Sequence, residues 1–370
     1  MNVADRRMGG LSRRRFLAGS AVALTARLAM PSPTRAAVPV VPSRGINIPD
    51  WFDRADGTGP AEAVLEKLRD RGFSCIRLPV DGEVALSGAL GAIRQAVERL
   101  VDTGFSVLVD LHPSAGLHTA LRTDPVAGGT RVAEAWTALR AVIADLPGET
   151  VYPELLNEPP MTAAAWLPLR DRLAEIVRAA CPDHTIIWGP APDQGIWQLD
   201  TTPPLAEGRQ IAAVHFYAPM AFTHQCQSWG DTPLARIDGL PFPANRDMPV
   251  IREKIAALRT VGDEEAASLV EAQLATDWTA VAIQAEIAPA AAWSAATGCP
   301  VMLNEFGVLD FCVDTASRAA WVRAVRRAAE ASGIGWAYWE LDQGFGLIQD
   351  RSSTEGFDEA MLDALFGAGD

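Results

Sequence analysis

The stretch VYPELLNEPP at residues 151–160 has a shorter counterpart, VMLNEFG, at residues 301–307. Each is an apolar run of the kind found in buried strands, and each ends in an Asn-Glu pair before Pro or Gly stops the strand. Strand ends hold side chains on a rigid frame. Hydrolysis of a glycosidic bond needs two such carboxyl groups, one as acid/base and one as nucleophile or base. Glu158 and Glu305 are therefore the candidate catalytic pair.

Six further strand-like runs and five helix-like runs extend these two stretches into a repeating strand–helix pattern. Strands are predicted at 44–48, 74–78, 106–111, 151–156, 185–188, 211–216, 300–304 and 335–339. Helices are predicted at 61–71, 90–103, 130–144, 166–180 and 316–332. Eight strands alternating with helices predict an α/β fold, a closed (β/α)8 TIM barrel in a single domain. A doubly wound open sheet is the alternative, but no GxGxxG motif follows the first strand.

One connection in this pattern is abnormally long. The segment between strands 6 and 7, about residues 218–298, far exceeds what a barrel needs. It opens with aromatic and polar residues and continues as an Ala-rich stretch, predicted to be helical from about 263 to 296. Because the insertion leaves the top of strand 6, we expect its first part to wall the substrate cleft, with Trp229 or Phe222 lining a distant subsite.

Polar and aromatic side chains gather at the C-terminal ends of the predicted strands, where barrel enzymes carry their chemistry. They are Arg77, His112, Asn157, Glu158, His215, Tyr217, Glu305 and Trp339. Any one of these side chains alone would be interpreted as an ordinary structural residue. Eight of them at the same end of the barrel predict an active site.

These residues lie in short motifs that follow one another in a recognisable order. The motifs are RGINI (44–48), RLPV (77–80), VDLHP (109–113), LLNEPP (155–160), HFY (215–217), LNEFG (303–307) and WAYWE (336–340). In this order and strand placement, the chain resembles glycoside hydrolase family 5, the cellulases and mannanases of the retaining barrel clan. The resemblance covers residues 44 to about 340.

The resemblance implies double displacement with Glu158 as general acid/base and Glu305 as nucleophile. Further roles follow for the other rim residues: Asn157 binds the sugar 2-OH, Arg77 and Tyr217 hold Glu305 ionised, His112 and His215 complete the polar ring, and Trp339 forms a sugar platform. From the residues themselves, one carboxyl must carry a proton while the other stays ionised. We expect Arg77 to lower the pKa of one, and the negative charge of that carboxylate to raise the other.

The implied activity is hydrolysis of a β-linked glucan, with endo-β-1,4-glucanase as the first choice. An endo-β-mannanase or an exo-β-1,3-glucanase is the alternative enzyme, and a catalytically inactive polysaccharide-binding barrel is the alternative class. The intact pair Glu158 and Glu305 argues against the inactive barrel.

No cofactor and no metal site is expected, and we expect a monomer. A formal charge of −14 argues against nucleic acid or an anionic membrane as a partner.

Tryptophan is abundant, with eleven Trp against three Tyr, and Trp faces can bind the apolar faces of sugar rings. Trp51, Trp197 and Trp229 follow predicted strands and are candidates for the cleft, with core packing as the alternative. Core positions are predicted for the Trp residues with helical or interior spacing, Trp136, Trp166, Trp278 and Trp321.

The first 36 residues differ from the rest of the chain. Residues 12–17, SRRRFL, resemble the twin-arginine export signal, and a short apolar stretch and a small-residue cleavage region follow. We expect 1–36 to be a signal peptide and 37–370 to be the catalytic barrel, periplasmic or secreted and without a membrane anchor after cleavage. The mature chain would carry 25 basic against 45 acidic residues.

The five Cys residues are dispersed and show no metal-binding spacing. Cys226 and Cys312 fall in loops that should be neighbours on the catalytic rim. A disulfide between them could hold the insertion in place, and two unpaired thiols are the alternative.

Overall fold

The structure, a computed structural model, describes residues 39–52 and 59–367. The expected signal peptide at 1–36 lies outside these residues. The predicted barrel is confirmed: eight parallel strands pair in sequence order, and the first strand pairs with the last to close the sheet. The strands are β1 (Gly45–Asn47), β2 (Cys75–Asp81), β3 (Ser106–His112), β4 (Val151–Glu154), β5 (Ile186–Trp188), β6 (Gln210–His215), β7 (Val301–Glu305) and β8 (Gly335–Tyr338).

Helices connect the strands and surround the sheet, and each of them has buried side chains. They are α1 (Glu62–Arg71), α2 (Gly82–Leu86), α3 (Leu90–Asp102), α4 (Ala115–Thr123), α5 (Pro125–Ile143), α6 (Ala163–Arg178), α7 (Met220–Thr223), α8 (Pro249–Thr260), α9 (Glu264–Gln273), α10 (Ala280–Thr297), α11 (Thr315–Ala331) and α12 (Glu359–Phe366). Gly72 ends α1 in the left-handed conformation, as expected of a C-terminal glycine. Among the described residues, no helix is long and apolar enough to span a membrane.

Helix α5 begins five residues earlier than its apolar spacing predicts. Asp124 accepts hydrogen bonds from the N–H groups of Val126 and Ala127, and Pro125 occupies the first helical position. An Asp N-cap followed by Pro is a standard helix start. The capping residues, not the apolar pattern, therefore determine where α5 begins.

The barrel interior is apolar at its lower level and polar at its upper level. The lower level is a cluster of buried side chains that includes Cys75, Leu108 and Tyr152. Two residues further along the same strands come Arg77, Asp110 and Glu154, all fully buried. Because side chains alternate across a strand, residues two apart share a face. The polar layer is therefore directly below the rim that carries the site.

The insertion between β6 and β7 requires one correction. The helix predicted from about 263 to 296 is two helices, α9 and α10, with α8 before them. At the break, the backbone of Trp278 exchanges hydrogen bonds with that of Ala244, at 2.8 and 3.1 Å. Thr279 then caps α10 by accepting the N–H of Ala282. The Ala-rich composition hid this break because alanine favours a helix throughout.

Candidate active site

Arg77, on β2, is the centre of the buried polar layer. Its guanidinium makes five hydrogen bonds, and the acceptors are Glu154 (2.7 and 2.9 Å), Asn47 (3.0 Å), Asn157 (2.8 Å) and Glu305 (2.5 Å). Asp110 lies 3.0 Å from the same group. A guanidinium has five N–H donors in fixed directions, so this network uses its full capacity. Arg77 thereby fixes one oxygen of Glu305.

Glu154 and Asp110 are site residues that the sequence analysis missed. Glu154 also accepts a hydrogen bond from Asn304 at 2.8 Å, and Asp110 lies 2.9 Å from Nδ1 of His112. Both carboxylates are fully buried, and a buried charge persists only when it is paired. The available signal was an acidic residue inside an apolar strand, because such a residue requires a cation nearby.

Glu158 and Glu305 face each other above this layer. One carboxylate oxygen of each, together with a ring nitrogen of His215, lie within 4.8 Å of one another. Glu305 accepts hydrogen bonds from Arg77 and, at 3.0 Å, from the Tyr217 hydroxyl. Glu158 has His215 Nδ1 at 2.8 Å, and its side chain is 38% exposed, compared with 6% for Glu305. Glu305 is thus fixed and enclosed, whereas Glu158 is reachable from the cleft.

The same three atoms are close enough to hold a metal ion, a grouping that the sequence analysis did not anticipate. Hydrogen bonds from Arg77 and Tyr217 already reach both oxygens of Glu305. A cation there would also face the guanidinium of Arg77. The surroundings therefore favour a catalytic pair of carboxyl groups over a metal site.

Burial raises the pKa of both carboxyl groups. Arg77 opposes this effect at Glu158 as well as at Glu305, which corrects the expectation that Arg77 would act on only one of them. The hydrogen bonds to each carboxyl group distinguish Glu305 from Glu158 in how readily it stays ionised. Arg77 and Tyr217 donate to Glu305, and donors to the ionised form of a carboxyl favour that form. Glu305 is therefore the better placed of the two to stay ionised.

Burial lowers the pKa of His215, at the end of β6, to about 4, which favours the neutral ring at neutral pH. A neutral ring with its hydrogen on Nδ1 donates to ionised Glu158 at 2.8 Å. The hydrogen bond leaves the other carboxyl oxygen of Glu158 available for a proton. A neutral His215 also avoids adding a charge that would lower the pKa of Glu158.

His112 and Asn157 form a second hydrogen-bonded pair on the rim. The Asn157 amide donates to Nε2 of His112 at 3.3 Å, and its oxygen accepts from Arg77. The His112 ring stacks on Trp339, with centroids 5.9 Å apart and planes at 18°. Asn157 is therefore held by two partners beside Glu158, and Trp339 presents an indole beside the polar ring.

An aromatic wall rises from the insertion and from the loop after β8. Tyr217 packs edge-on against His224 at 5.1 Å, and Phe345 lies 5.5 Å from the same ring. Trp229 completes the wall at 6.3 Å from His224 and 6.4 Å from Phe345. Phe345 was missed by the sequence analysis because it follows the last strand by several residues and belongs to no motif. The first part of the insertion does wall the cleft, as expected.

A cavity of about 550 Å³ joins these groups. Its lining includes nine of the predicted site residues: His112, Asn157, Glu158, Trp197, His215, Tyr217, Trp229, Glu305 and Trp339. Arg77 lies beneath it, fully buried. A second cavity of about 780 Å³ shares Asp193 with the first and is lined in part by His118 and Arg122.

Two aromatic residues do not reach the cavity. Trp51 is only 4% exposed, is absent from the cavity lining, and has the Arg99 guanidinium 5.8 Å from its ring. Of the two alternatives given for Trp51, cleft or core, the structure places it in the core. Phe222 is 1% exposed and packs on Phe242, so Trp229, not Phe222, is the insertion's cleft aromatic.

The match to known proteins agrees with this geometry. Residues 34–344 match the sequence profile of the family described as Cellulase (glycosyl hydrolase family 5). The chain belongs to this family.

Individual family relatives are distant in sequence. Endoglucanase 3 of Fibrobacter succinogenes is 28% identical over 349 residues, which cover 86% of this chain. The match covers 52% of that relative, so the chain spans about half its length. Among solved structures, Thermotoga maritima Cel5A in complex with cellobiose gives a TM-score of 0.70 at 23% identity, covering 88% of this chain and 97% of that one. The cellulose synthase subunit Z of Clostridioides difficile gives 0.66 at 23% identity, covering 87% and 99%.

In this family 5 barrel, a disulfide ties the insertion to the catalytic rim. Cys226 in the insertion bonds to Cys312 in the loop after β7, with Cα atoms 5.9 Å apart. Cys75, Cys181 and Cys299 are buried and unpaired. Of the two alternatives left open by the sequence, the structure therefore has the bridge. Cys226 is two residues from His224, and so the bridge constrains the segment that carries part of the aromatic wall.

Proposed function

We propose that the protein is a retaining β-glycosidase that cleaves β-1,4-glucan chains internally. The observation that carries this proposal is the placement of oxygens of Glu158 and Glu305 within 4.8 Å of each other. Retaining glycosidases separate their carboxyl groups by about 5–5.5 Å, whereas inverting enzymes need about 6.5–9.5 Å to admit a water molecule. The short separation supports direct attack by one carboxylate.

In the first step, Glu305 attacks the anomeric carbon and forms a covalent glycosyl-enzyme. Glu158 donates its proton to the departing glycosidic oxygen, so the leaving chain departs as an alcohol. In the second step, ionised Glu158 takes a proton from water while that water attacks the anomeric carbon and frees Glu305. The hydrogen bonds of Glu305 to Arg77 and Tyr217 support the nucleophile role, and the exposure of Glu158 supports the acid/base role.

The two adjoining cavities support a polymeric substrate. They meet at Asp193, and the exposed indoles of Trp197 and Trp229 line the first of them. A sugar chain that extends beyond the first cavity could therefore continue into the second, which supports cleavage within a chain. A relative named Endoglucanase 3 and a similar structure named as an endo-β-1,4-glucanase support β-1,4-glucan as the first choice of substrate.

The substrate is tested by incubating purified residues 37–370 with carboxymethylcellulose, mannan, mixed-linkage glucan and laminarin. We expect the fastest reaction on β-1,4-linked glucan, with viscosity falling before many reducing ends appear. NMR of the first product should show the β-anomer. An α-anomer would disprove retention, and preference for mannan or laminarin would replace the substrate assignment. Mannan is included because Cel5A has been solved with mannotriose.

We also propose that the protein is exported by the twin-arginine route and acts outside the cytoplasm. The motif SRRRFL at residues 12–17 supports this proposal. Replacing Arg13 and Arg14 with Lys should retain the full-length protein in the cytoplasm, which fractionation and immunoblotting would reveal. Unchanged export of that variant would contradict the proposal.

A further inference from the structure

Gln194 lies outside the rim motifs yet contacts the backbone of the acid/base residue. It lies in the loop that follows β5, and it is fully buried. Its Oε1 accepts a hydrogen bond from the backbone N–H of Glu158 at 2.6 Å. The side chain of Gln194 is thus linked directly to the peptide from which the Glu158 carboxyl projects.

The backbone of Glu158 needs a partner of this kind. Strand β4 ends at Glu154, and Glu158 has a φ of 41°, in the left-handed region that residues other than glycine rarely adopt. Its N–H is therefore outside the ladder of the sheet. A buried N–H without an acceptor costs free energy, so Gln194 stabilises this unusual conformation.

Gln194 also holds the hydrogen-bond partner of Glu158. The backbone carbonyl of Gln194 accepts the N–H of His215 at 2.9 Å. The His215 ring in turn lies 2.8 Å from the Glu158 carboxyl. Gln194 therefore fixes both ends of the Glu158–His215 contact, one through its side chain and the other through its main chain.

The loop is built to accommodate this side chain. Gln194 and Asp193 both have positive φ values, 51° and 57°, and such strain persists where the surroundings enforce it. At Gly189, an added Cβ would overlap the Gln194 side chain. The Gly189 carbonyl is itself anchored by the indole N–H of Trp166 at 2.8 Å. Because position 189 has no side chain, the Gln194 amide can occupy this space.

We propose that Gln194 is a positioning residue that aims the acid/base carboxyl of Glu158 at the departing oxygen. This inference rests on the proposed function, in which Glu158 protonates the leaving group. A misaimed acid should slow the departure of poor leaving groups and spare good ones, because good ones need little protonation. Replacing a residue that only maintained the fold would slow the reaction of both kinds of substrate equally.

The test replaces Gln194 with Met, which has similar length but no comparable acceptor. Gln194→Met should lower kcat/KM on cellotetraose by about tenfold or more, since general acid catalysis contributes about 10²–10⁴-fold when fully in place. On 2,4-dinitrophenyl β-cellobioside, the loss should stay below about threefold by the same reasoning. Gln194→Glu keeps an acceptor and should restore most of the cellotetraose activity.

Gln225→Met is the matched control. Gln225 is also a fully buried amide that accepts one backbone N–H, that of Leu240 at 2.8 Å, but it lies in the insertion. The Gln225→Met substitution should leave the ratio of the activities on cellotetraose and on the dinitrophenyl cellobioside unchanged, even if it lowers the melting temperature. Gly189→Ala provides a second variant in case Gln194→Met does not fold, and it should give the same selective loss.

Equal losses on both substrates, or no loss on either, would overturn the inference while leaving the proposed function intact. If the wild-type protein hydrolyses neither substrate, the proposed function fails, and the inference about Gln194 fails with it.

Discussion

Glu158 and Glu305 are the same residue type in two different settings, and their variants should fail differently. Glu305→Gln should abolish turnover of every substrate, because no other group can form the covalent intermediate. Glu158→Ala should still react with good leaving groups in the first step and then stall. Added azide should restore turnover of Glu158→Ala and yield a β-glycosyl azide, detectable by NMR. An α-azide from the Glu305 variant would mean that the two roles are reversed.

Buried histidines should make the fold sensitive to acid. Burial lowers the pKa of His224 to about 4, whereas an unfolded His titrates near about 6.5. Between these values the unfolded state binds more protons, so stability falls as pH drops from about 6.5 to 4, by roughly 3 kcal/mol for this residue.

His224→Gln should therefore reduce the difference in unfolding free energy between pH 7 and pH 4. Urea unfolding at the two pH values measures that difference. His118→Gln, in the lining of the second cavity, is the control. An unchanged difference in the His224 variant would show that its burial does not contribute to acid sensitivity.

At the level of single residues, the sequence predicted the side chains at the strand ends but not the buried residues beneath them. Residues at strand ends could be assigned because a barrel gathers those ends on one face. Asp110 and Glu154 were missed because they lie within strands, where only the fold brings them to Arg77. Trp51 was left open between cleft and core because proximity to a strand end does not determine which way a side chain points. The burial of Phe222 likewise depended on the conformation of the insertion.

Among the elements, the insertion gives the clearest prediction about substrate length. Trp229 lines the cavity, is 48% exposed, and lies on the insertion, not on the barrel. Trp229→Ala should weaken polymer binding by about 1–3 kcal/mol through the loss of one stacking surface. Short aryl glycosides should be affected far less.

Comparing KM for a long glucan and for an aryl cellobioside separates these effects. Phe311→Ala is the matched control, because Phe311 is 47% exposed and absent from the lining of the first cavity. Equal loss by Trp229→Ala on both substrates would assign Trp229 to the scaffold.

The disulfide should stabilise the contact between the insertion and the loop after β7. Its two cysteines are 86 residues apart, and closing a loop of that size is worth about 4.6 kcal/mol in the chain-entropy description. Cys226→Ser should lower the melting temperature and weaken polymer cleavage, because Cys226 is two residues from His224 of the aromatic wall. Calorimetry tests this, with the unpaired Cys181→Ser as control. A shift no larger than that of the control would contradict it.

Element boundaries show which physical signals a sequence carries. Apolar periodicity located all eight strands, because each strand is buried on both faces. It could not find the break between α9 and α10, which depends on a backbone pairing of Trp278 with the distant Ala244. The early start of α5 was encoded in Asp124 and Pro125, but it required capping residues to be weighed above periodicity.

For the whole molecule, the repeated strand–helix units predicted the barrel, and the barrel in turn predicted which residues form the site. Eight strand–helix units constrain a chain to few architectures, and the closed barrel then determines which residues meet. Glu158 and Glu305 are far apart in sequence, so only this closure could predict that they face each other. The supporting loops lacked any such regularity, which is why Gln194 and Phe345 emerged only from the structure.

The saturated hydrogen bonding of Arg77 has a consequence for how this site can evolve. Because its partners share one guanidinium, a change in any of them alters the charge balance felt by the others. Substitutions at Asp110, Glu154 and Asn157 should therefore show strong epistasis, with double variants departing from the sum of single effects. Adaptation to new substrates is expected to proceed through the loops and the insertion, while the buried layer stays constant.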